Sequence, residues 1–175
     1  MGTNIKMTRV AVIGSNGQLG TDIVKALEQT NKYDISSLSH VDIEVTNQSS
    51  VITTMESIKP NIVINCAAFV RVDDCENDPE TAFNINSIGA LNVARACKEL
   101  NAICVYISTG YVFDGKRNKP YMEEDVPSPI NVYGASKLSG EILTQNYCTK
   151  NLVLRTSGLY GTVGSSGKGG NFVET

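Results

Sequence analysis

The chain has 175 residues, 41% of them hydrophobic and 19% charged, with a formal net charge of −3. That length suits one domain able to bury a sizeable core, and that composition excludes general disorder. The slightly acidic balance excludes a surface built to neutralise nucleic acid or an anionic membrane, so any phosphate must be held locally.

The opening Met1-Gly2-Thr3-Asn4-Ile5-Lys6-Met7 lacks the apolar stretch of an export signal, and nowhere do eighteen apolar residues run together, so a cytoplasmic chain without a membrane span is expected. Arg9 to Ile13 is a β-branched apolar run ended by Gly14. Leu19, Ile23, Val24 and Leu27 then fall at helical spacing over residues 18–29. Between them lies Gly14-Ser15-Asn16-Gly17-Gln18-Leu19-Gly20, a G-x-x-G-x-x-G turn. Glycines there let main chain approach a pyrophosphate, which meets unpaired N–H groups and the positive end of a helix dipole. In this strand-turn-helix context the turn reads as a dinucleotide site rather than a mere bend.

Residues 33–38 read as a second strand. Near its end stands Ser37, where strict NAD sites place a carboxylate for the ribose hydroxyls; NADP(H), or acceptance of both NADP(H) and NAD(H), is therefore expected. Asn47 caps a helix through Val51, Ile52, Met55 and Ile58 that stops before Pro60. Asn61 to Cys66 is a third strand, Asp78-Pro79-Glu80 starts a helix running to about Leu100, and Ala102 to Ile107 is a fourth strand. Residues 114–130, with Pro120, Pro127 and Pro129, read as a surface loop. A helix from Asn131 to about Tyr147 and a strand from Leu152 to Arg155 follow, then a Gly- and Ser-rich stretch over 158–170. Apolar strands alternating with helices demand an α/β fold: a Rossmann-type, doubly wound parallel sheet with helices on both faces.

The five cysteines, Cys66, Cys75, Cys97, Cys104 and Cys148, form no C-x-x-C pair, and His40 is the single histidine. No metal site is expected, and reduced thiols packed as small hydrophobes fit a reducing cytosol.

Tyr133-Gly134-Ala135-Ser136-Lys137 places a phenol and an ammonium four apart, on one helix face. A phenol with an ordinary pKa of about 10 is a poor acid or base, but a neighbouring ammonium and a cationic nicotinamide favour the phenolate, so Tyr133 can move a proton. The bland alternative is an exposed Tyr-Lys pair. Tyr106-Ile107-Ser108-Thr109 puts hydroxyls at the carboxyl end of a central strand, where open parallel sheets bind ligands. Thr109 there either hydrogen-bonds a substrate carbonyl beside Tyr133 or, with Ser108, merely caps a turn.

Beyond these motifs, Asn65-Cys66-Ala67-Ala68, Val72-Asp73-Asp74-Cys75-Glu76, Asn84-Ile85-Asn86, Tyr111-Val112-Phe113-Asp114-Gly115, Asn131-Val132-Tyr133-Gly134 and Arg155-Thr156-Ser157 run in order. With them the chain resembles the extended short-chain dehydrogenases/reductases and, within these, the dTDP-4-dehydrorhamnose reductase group. The resemblance implies an NAD(P)H-dependent reductase of a nucleotide-linked 4-keto-6-deoxy sugar. Thr109, Tyr133 and Lys137 would be catalytic, Tyr133 giving its proton to the C4 carbonyl and Lys137 also gripping the nicotinamide ribose. Glu44-Val45-Thr46-Asn47 would pass the adenine, while Ala67, Ala68 and Asn86 would touch the cofactor's middle and nicotinamide end. Gly110, Tyr111, Gly158 and Asn171 would face the substrate. The family usually has an acid where this chain has Gly110 and a tryptophan where it has Gly158, which weakens the inference to the usual rhamnose precursor.

The resemblance further implies a dinucleotide-binding domain over residues 1–157, with 158–175 opening a substrate lobe of which the rest is absent from the sequence. A nucleotide-sugar substrate is the expected partner, with neither nucleic acid nor membrane, and homodimerisation is open. Two alternatives stand beside the reductase: a sugar-nucleotide epimerase, and a non-catalytic NADP-binding regulatory subunit resembling the β-subunit of methionine adenosyltransferase. Retention of Thr109, Tyr133 and Lys137 weighs against the latter.

Overall fold

A computed structural model describes residues 7–161 and 163. Five parallel strands, β1 (Thr8–Ile13), β2 (Tyr33–Leu38), β3 (Ile62–Asn65), β4 (Ile103–Thr109) and β5 (Asn151–Thr156), form one sheet in the order β2-β1-β3-β4-β5. Helices α1 (Gln18–Thr30), α2 (Gln48–Ile58), α3 (Val72–Asn77), α4 (Pro79–Phe83), α5 (Ala90–Glu99) and α6 (Val132–Tyr147) make the crossovers. This is the expected doubly wound parallel sheet. The core is built where strand and helix faces meet, from Ala11, Ile13, Val51, Met55, Val63, Val93 and Cys104 among others, each almost wholly removed from water.

The chain leaves β1 toward β2 on one side and returns from β2 to β3 on the other. The carboxyl ends of β1 and β3 thus flank a topological switch point, which opens a crevice between divergent connections. Gly14, at φ 75°, turns the chain out of β1, and a Cβ on it would lie 3.1 Å from the Ala67 nitrogen at the end of β3. Gly20 in the first turn of α1 is tighter still: its Cβ would lie 2.1 Å from the Gly14 carbonyl oxygen.

Two elements depart from the sequence expectations. The helix expected from Asp78 to about Leu100 is interrupted by a π-helical turn over Asn84–Gly89. The widened turn is locked by neighbours, since the Tyr106 hydroxyl donates to the Asn86 carbonyl (2.8 Å) and Gly89 packs against Val45 closely enough to exclude a Cβ. The short helix α3 has no apolar periodicity to announce it, and Asp73 and Asp74 in its first turn favour its N-terminal dipole. Residues 114–130 contain no helix or strand, as expected for a loop. Among the described residues no helix is long and apolar enough to cross a membrane.

Candidate active site

A cleft of about 810 Å³ opens above the carboxyl ends of β1, β3, β4 and β5. One wall is the glycine turn, with Gly14, Gly17, Gln18, Leu19 and Gly20. Gly17 caps α1 without a side-chain hydrogen bond, and no acid occupies the helix's first turn. The N–H groups of that turn and the helix dipole are therefore suited to an anion at this wall.

The facing wall carries Thr109, Tyr111, Tyr133 and Lys137. Asn131 caps α6 by accepting from the Gly134 N–H (2.7 Å), and the Val132 N–H is held by Glu76 of α3 (2.7 Å). Gly134 lets α6 approach the 3-10 turn Gly110–Val112, because a Cβ there would lie 2.2 Å from the Tyr111 carbonyl oxygen. This seats Tyr133 at the end of β4, where its phenol lies beside the Thr109 hydroxyl. Burial raises the Tyr133 phenol above its ordinary value and the Thr109 hydroxyl opposes that rise. Thr109 also accepts from the Tyr111 N–H (3.2 Å), and the Tyr111 ring meets that of Tyr133 edge-on at 5.7 Å. Thr109 thus caps the 3-10 turn and also lines the cleft beside Tyr133.

Lys137 is 2% exposed. Its ammonium lies over the Tyr106 ring, 4.2 Å from the centroid, rather than pairing with the Tyr133 oxygen, and burial lowers its pKa to about 7.

Of the remaining residues singled out from sequence, Ala68 and Gly158 line the cleft. Asn16 is exposed at the tip of the glycine turn, and Gly110 and Ala67 adjoin the cleft without lining it. Ser37 is exposed near the carboxyl end of β2, in register with Val12. Glu44 turns back on its own loop, accepting from the Thr46 N–H (2.9 Å) and hydroxyl (2.8 Å), which holds its carboxyl below the usual range. Val45 is a core residue. Asn86 is wholly buried behind the cleft; its amide accepts from the Phe69 N–H (2.9 Å) and donates to the Phe69 carbonyl (3.0 Å) and the Ser136 hydroxyl (2.9 Å). Asn171 lies outside the described residues. Among the described residues, no group of three or more His, Cys, Asp or Glu is arranged to hold a metal.

Sequence reasoning missed the segment Phe69–Val72, which lines the cleft beside Cys66, and the linkage of buried Ser108 and Glu141 with half-buried Arg155. Glu141 had a signal available: it stands one helical turn beyond Lys137 and two beyond Tyr133, on the same face.

A family model described as the RmlD substrate binding domain matches residues 7–175. A dTDP-4-dehydrorhamnose reductase of Aggregatibacter actinomycetemcomitans is 36% identical over 169 residues, covering 97% of this chain and 56% of that protein. The crystal structure of dTDP-4-dehydrorhamnose reductase from Bacillus anthracis, in complex with NADP, superposes with a TM-score of 0.87 at 42% identity, covering 90% of this chain and 56% of that one. The mouse methionine adenosyltransferase 2 subunit beta is 34% identical over 166 residues, covering 91% of this chain and 49% of that protein. The chain therefore spans about half the length of these relatives.

Proposed function

Since the chain belongs to the RmlD substrate binding domain family, we propose that it is the dinucleotide-binding part of an NADPH-dependent reductase acting on a nucleotide-linked 4-keto-6-deoxy sugar. The observation that carries this reading is the meeting of the glycine turn with Thr109, Tyr133 and Lys137 across one cleft. A glycine cradle, a helix N-terminus without an acid and a cleft of this size fit a dinucleotide, which when bound supplies the hydride.

The chain's own groups do the rest. Thr109 and Tyr133 hold a carbonyl oxygen between two hydroxyls, and Tyr133 gives that oxygen its proton as charge develops on it. Lys137, at the base of the cleft, holds the ribose. Residues 1–157 form the dinucleotide-binding part and 158–175 begin a substrate lobe. The reducing cytosol is the compartment proposed, supported by five cysteines that are all free. Ser37 in place of an acid, and the NADP bound by the Bacillus anthracis relative, support NADP(H) as an accepted cofactor. Calorimetry giving NADH more than tenfold tighter than NADPH, about 1.4 kcal/mol, would overturn that preference.

The regulatory-subunit reading is favoured by one observation, the similarity to the mouse β-subunit. NADPH oxidation followed with a panel of nucleotide-linked 4-keto sugars decides between them. Turnover of any member supports the reductase; dinucleotide binding without turnover of any, in a chain extended through a substrate lobe, supports the regulatory subunit.

A further inference from the structure

Glu141 projects from α6 into the space between α6, β4 and β5 and is 2% exposed. Its carboxylate accepts from the Ser108 hydroxyl of β4 at 2.5 Å, and from Arg155 of β5 through Nε at 2.9 Å and Nη2 at 2.7 Å. Arg155 is fixed in turn by the Phe113 ring, 5.0 Å away, and by the Glu123 carbonyl. A carboxylate taken this far from water costs several kcal/mol unless such partners compensate it. A helix could be fastened to two strands with apolar side chains at lower cost, so the charge calls for an explanation beyond packing.

The explanation lies one turn back along α6. Lys137 is buried; Cys66 after β3 and Tyr106 of β4 face it, while Tyr133 of α6 and, from the far side, Tyr111, Arg71, Asp73 and Asp74 line the cleft around it. The thiol and the phenols carry no negative charge at neutral pH, and Arg71 pairs with Asp74. Burial pushes the Cys66 thiol up to about 12, holds the Tyr106 phenol well above its ordinary value, and raises Tyr133 as well. Glu141, ion-paired to Arg155, is the anion whose field reaches Lys137 and favours its charged form.

We propose that Glu141 is a positioning residue of the site: clamped by Ser108 and Arg155, it supplies a countercharge that favours the ammonium form of buried Lys137 against its desolvation and ties α6 to the ends of β4 and β5. The ammonium is what a ribose hydroxyl and a proton-donating phenol require beside them, so the proposal deepens the reading of Lys137 given above and rests on it. Arg155 sets the strength of that field. Its guanidinium holds the Glu141 carboxylate through Nε and Nη2 and offsets part of the negative charge that Lys137 senses.

The test follows the Lys137 side chain by NMR in ligand-free protein carrying ¹³C-labelled lysine, with Lys137→Met assigning the signal. Glu141→Gln removes the anion and is expected to lower the Lys137 midpoint by about half a pH unit or more. Arg155→Gln removes the competing cation and is expected to raise it. Opposite shifts are what a purely structural bracket would not produce. A Lys137 midpoint unchanged to about 0.1 unit in folded Glu141→Gln overturns the proposal, and should that variant fail to fold, an unchanged or lowered midpoint in Arg155→Gln does the same. Dinucleotide affinity is measured on the same samples. Its absence from the wild-type protein would refute the functional reading above, while the ligand-free shifts would still report on Glu141 and Lys137.

Discussion

The Lys137 ammonium and the Tyr106 ring stack at 4.2 Å, at the bottom of a cleft where water does not reach either group. Desolvation dominates the ammonium, lowering its pKa from 10.5 to about 7. In the unfolded chain Lys137 regains its ordinary value, so between pH 7 and about 10 the unfolded state binds more protons and stability rises with pH. Below pH 7 both states hold the proton and this dependence vanishes. The Cys66 thiol has the opposite effect: raised from 9.0 to about 12, it keeps its proton when folded while the unfolded thiol loses it, so stability falls above pH 9. Unfolding free energies from urea titrations should therefore climb from pH 7 to 9, by an amount approaching about 1.4 kcal/mol per unit, level off above pH 9 where the two slopes oppose each other, and fall once the Lys137 rise ends near its ordinary 10.5. Lys137→Met should flatten the climb without removing the fall. A climb of equal size in that variant would mean that another group is responsible.

Asn86 should act on stability first and on binding through it. Its amide closes a pair of hydrogen bonds on the Phe69 backbone and a third on Ser136, whose hydroxyl donates onward to the Tyr133 carbonyl (2.9 Å). Asn86→Ala leaves the Phe69 N–H without a partner in a half-buried place and its carbonyl with only the weak Cys75 thiol donor (3.6 Å), at a cost of about 2 kcal/mol. The urea midpoint should drop accordingly, and dinucleotide affinity should weaken because Phe69–Val72 lines the cleft. Retention of full stability would show that the loop and α6 are joined by other contacts.

These two residues mark what the sequence made legible. The sheet, the glycine turn and the Tyr133-Lys137 spacing follow local rules of periodicity and turn chemistry, and the five strands stand where those rules put them, whereas the π-helical turn over Asn84–Gly89 and the short helix α3 do not follow from them. The partners of Lys137 and Asn86 do not follow such rules. Tyr106 meets Lys137 across 31 positions of sequence, Asn86 meets Ser136 across 50, and Glu141 meets Ser108 across 33. Such pairings depend on how α6 lies on β4. That in turn depends on Gly140, whose Cβ would lie 2.3 Å from both the Asn86 carbonyl and the Tyr106 hydroxyl. A glycine inside a helix reads in sequence only as a weak helix former.

Tyr133→Phe should separate chemistry from binding. It deletes the hydroxyl that lies beside Thr109 and leaves the ring's edge-on packing with Tyr111. In a reductase-competent chain the rate on a nucleotide-linked 4-keto sugar should fall by about 100-fold or more, with dinucleotide affinity almost unchanged. A variant keeping more than about a tenth of the rate would remove Tyr133 from the role of proton donor.

Gly20 and Gly158 offer a paired test of the cleft wall, because both are glycines at the same site under opposite constraints. A Cβ on Gly20 would lie 2.1 Å from the Gly14 carbonyl oxygen and 2.9 Å from the Ser15 Cα, both backbone atoms of the turn itself. Neither can rotate away, so Gly20→Ala must push α1 off the turn or unwind its first residues. Either movement displaces the N–H groups facing the cleft and loosens α1 on β2, against which it packs. Gly158 lines the same cleft, yet a Cβ on it would meet nothing within 4 Å. Gly20→Ala should therefore weaken NADPH binding by at least about tenfold, or 1.4 kcal/mol, and lower the urea midpoint, whereas Gly158→Ala should leave both near wild type. Calorimetric titration of the two variants beside the wild type makes the comparison. Equal affinity in Gly20→Ala would mean that the glycine turn is a bend between β1 and α1 and that the dinucleotide, if bound, is held elsewhere.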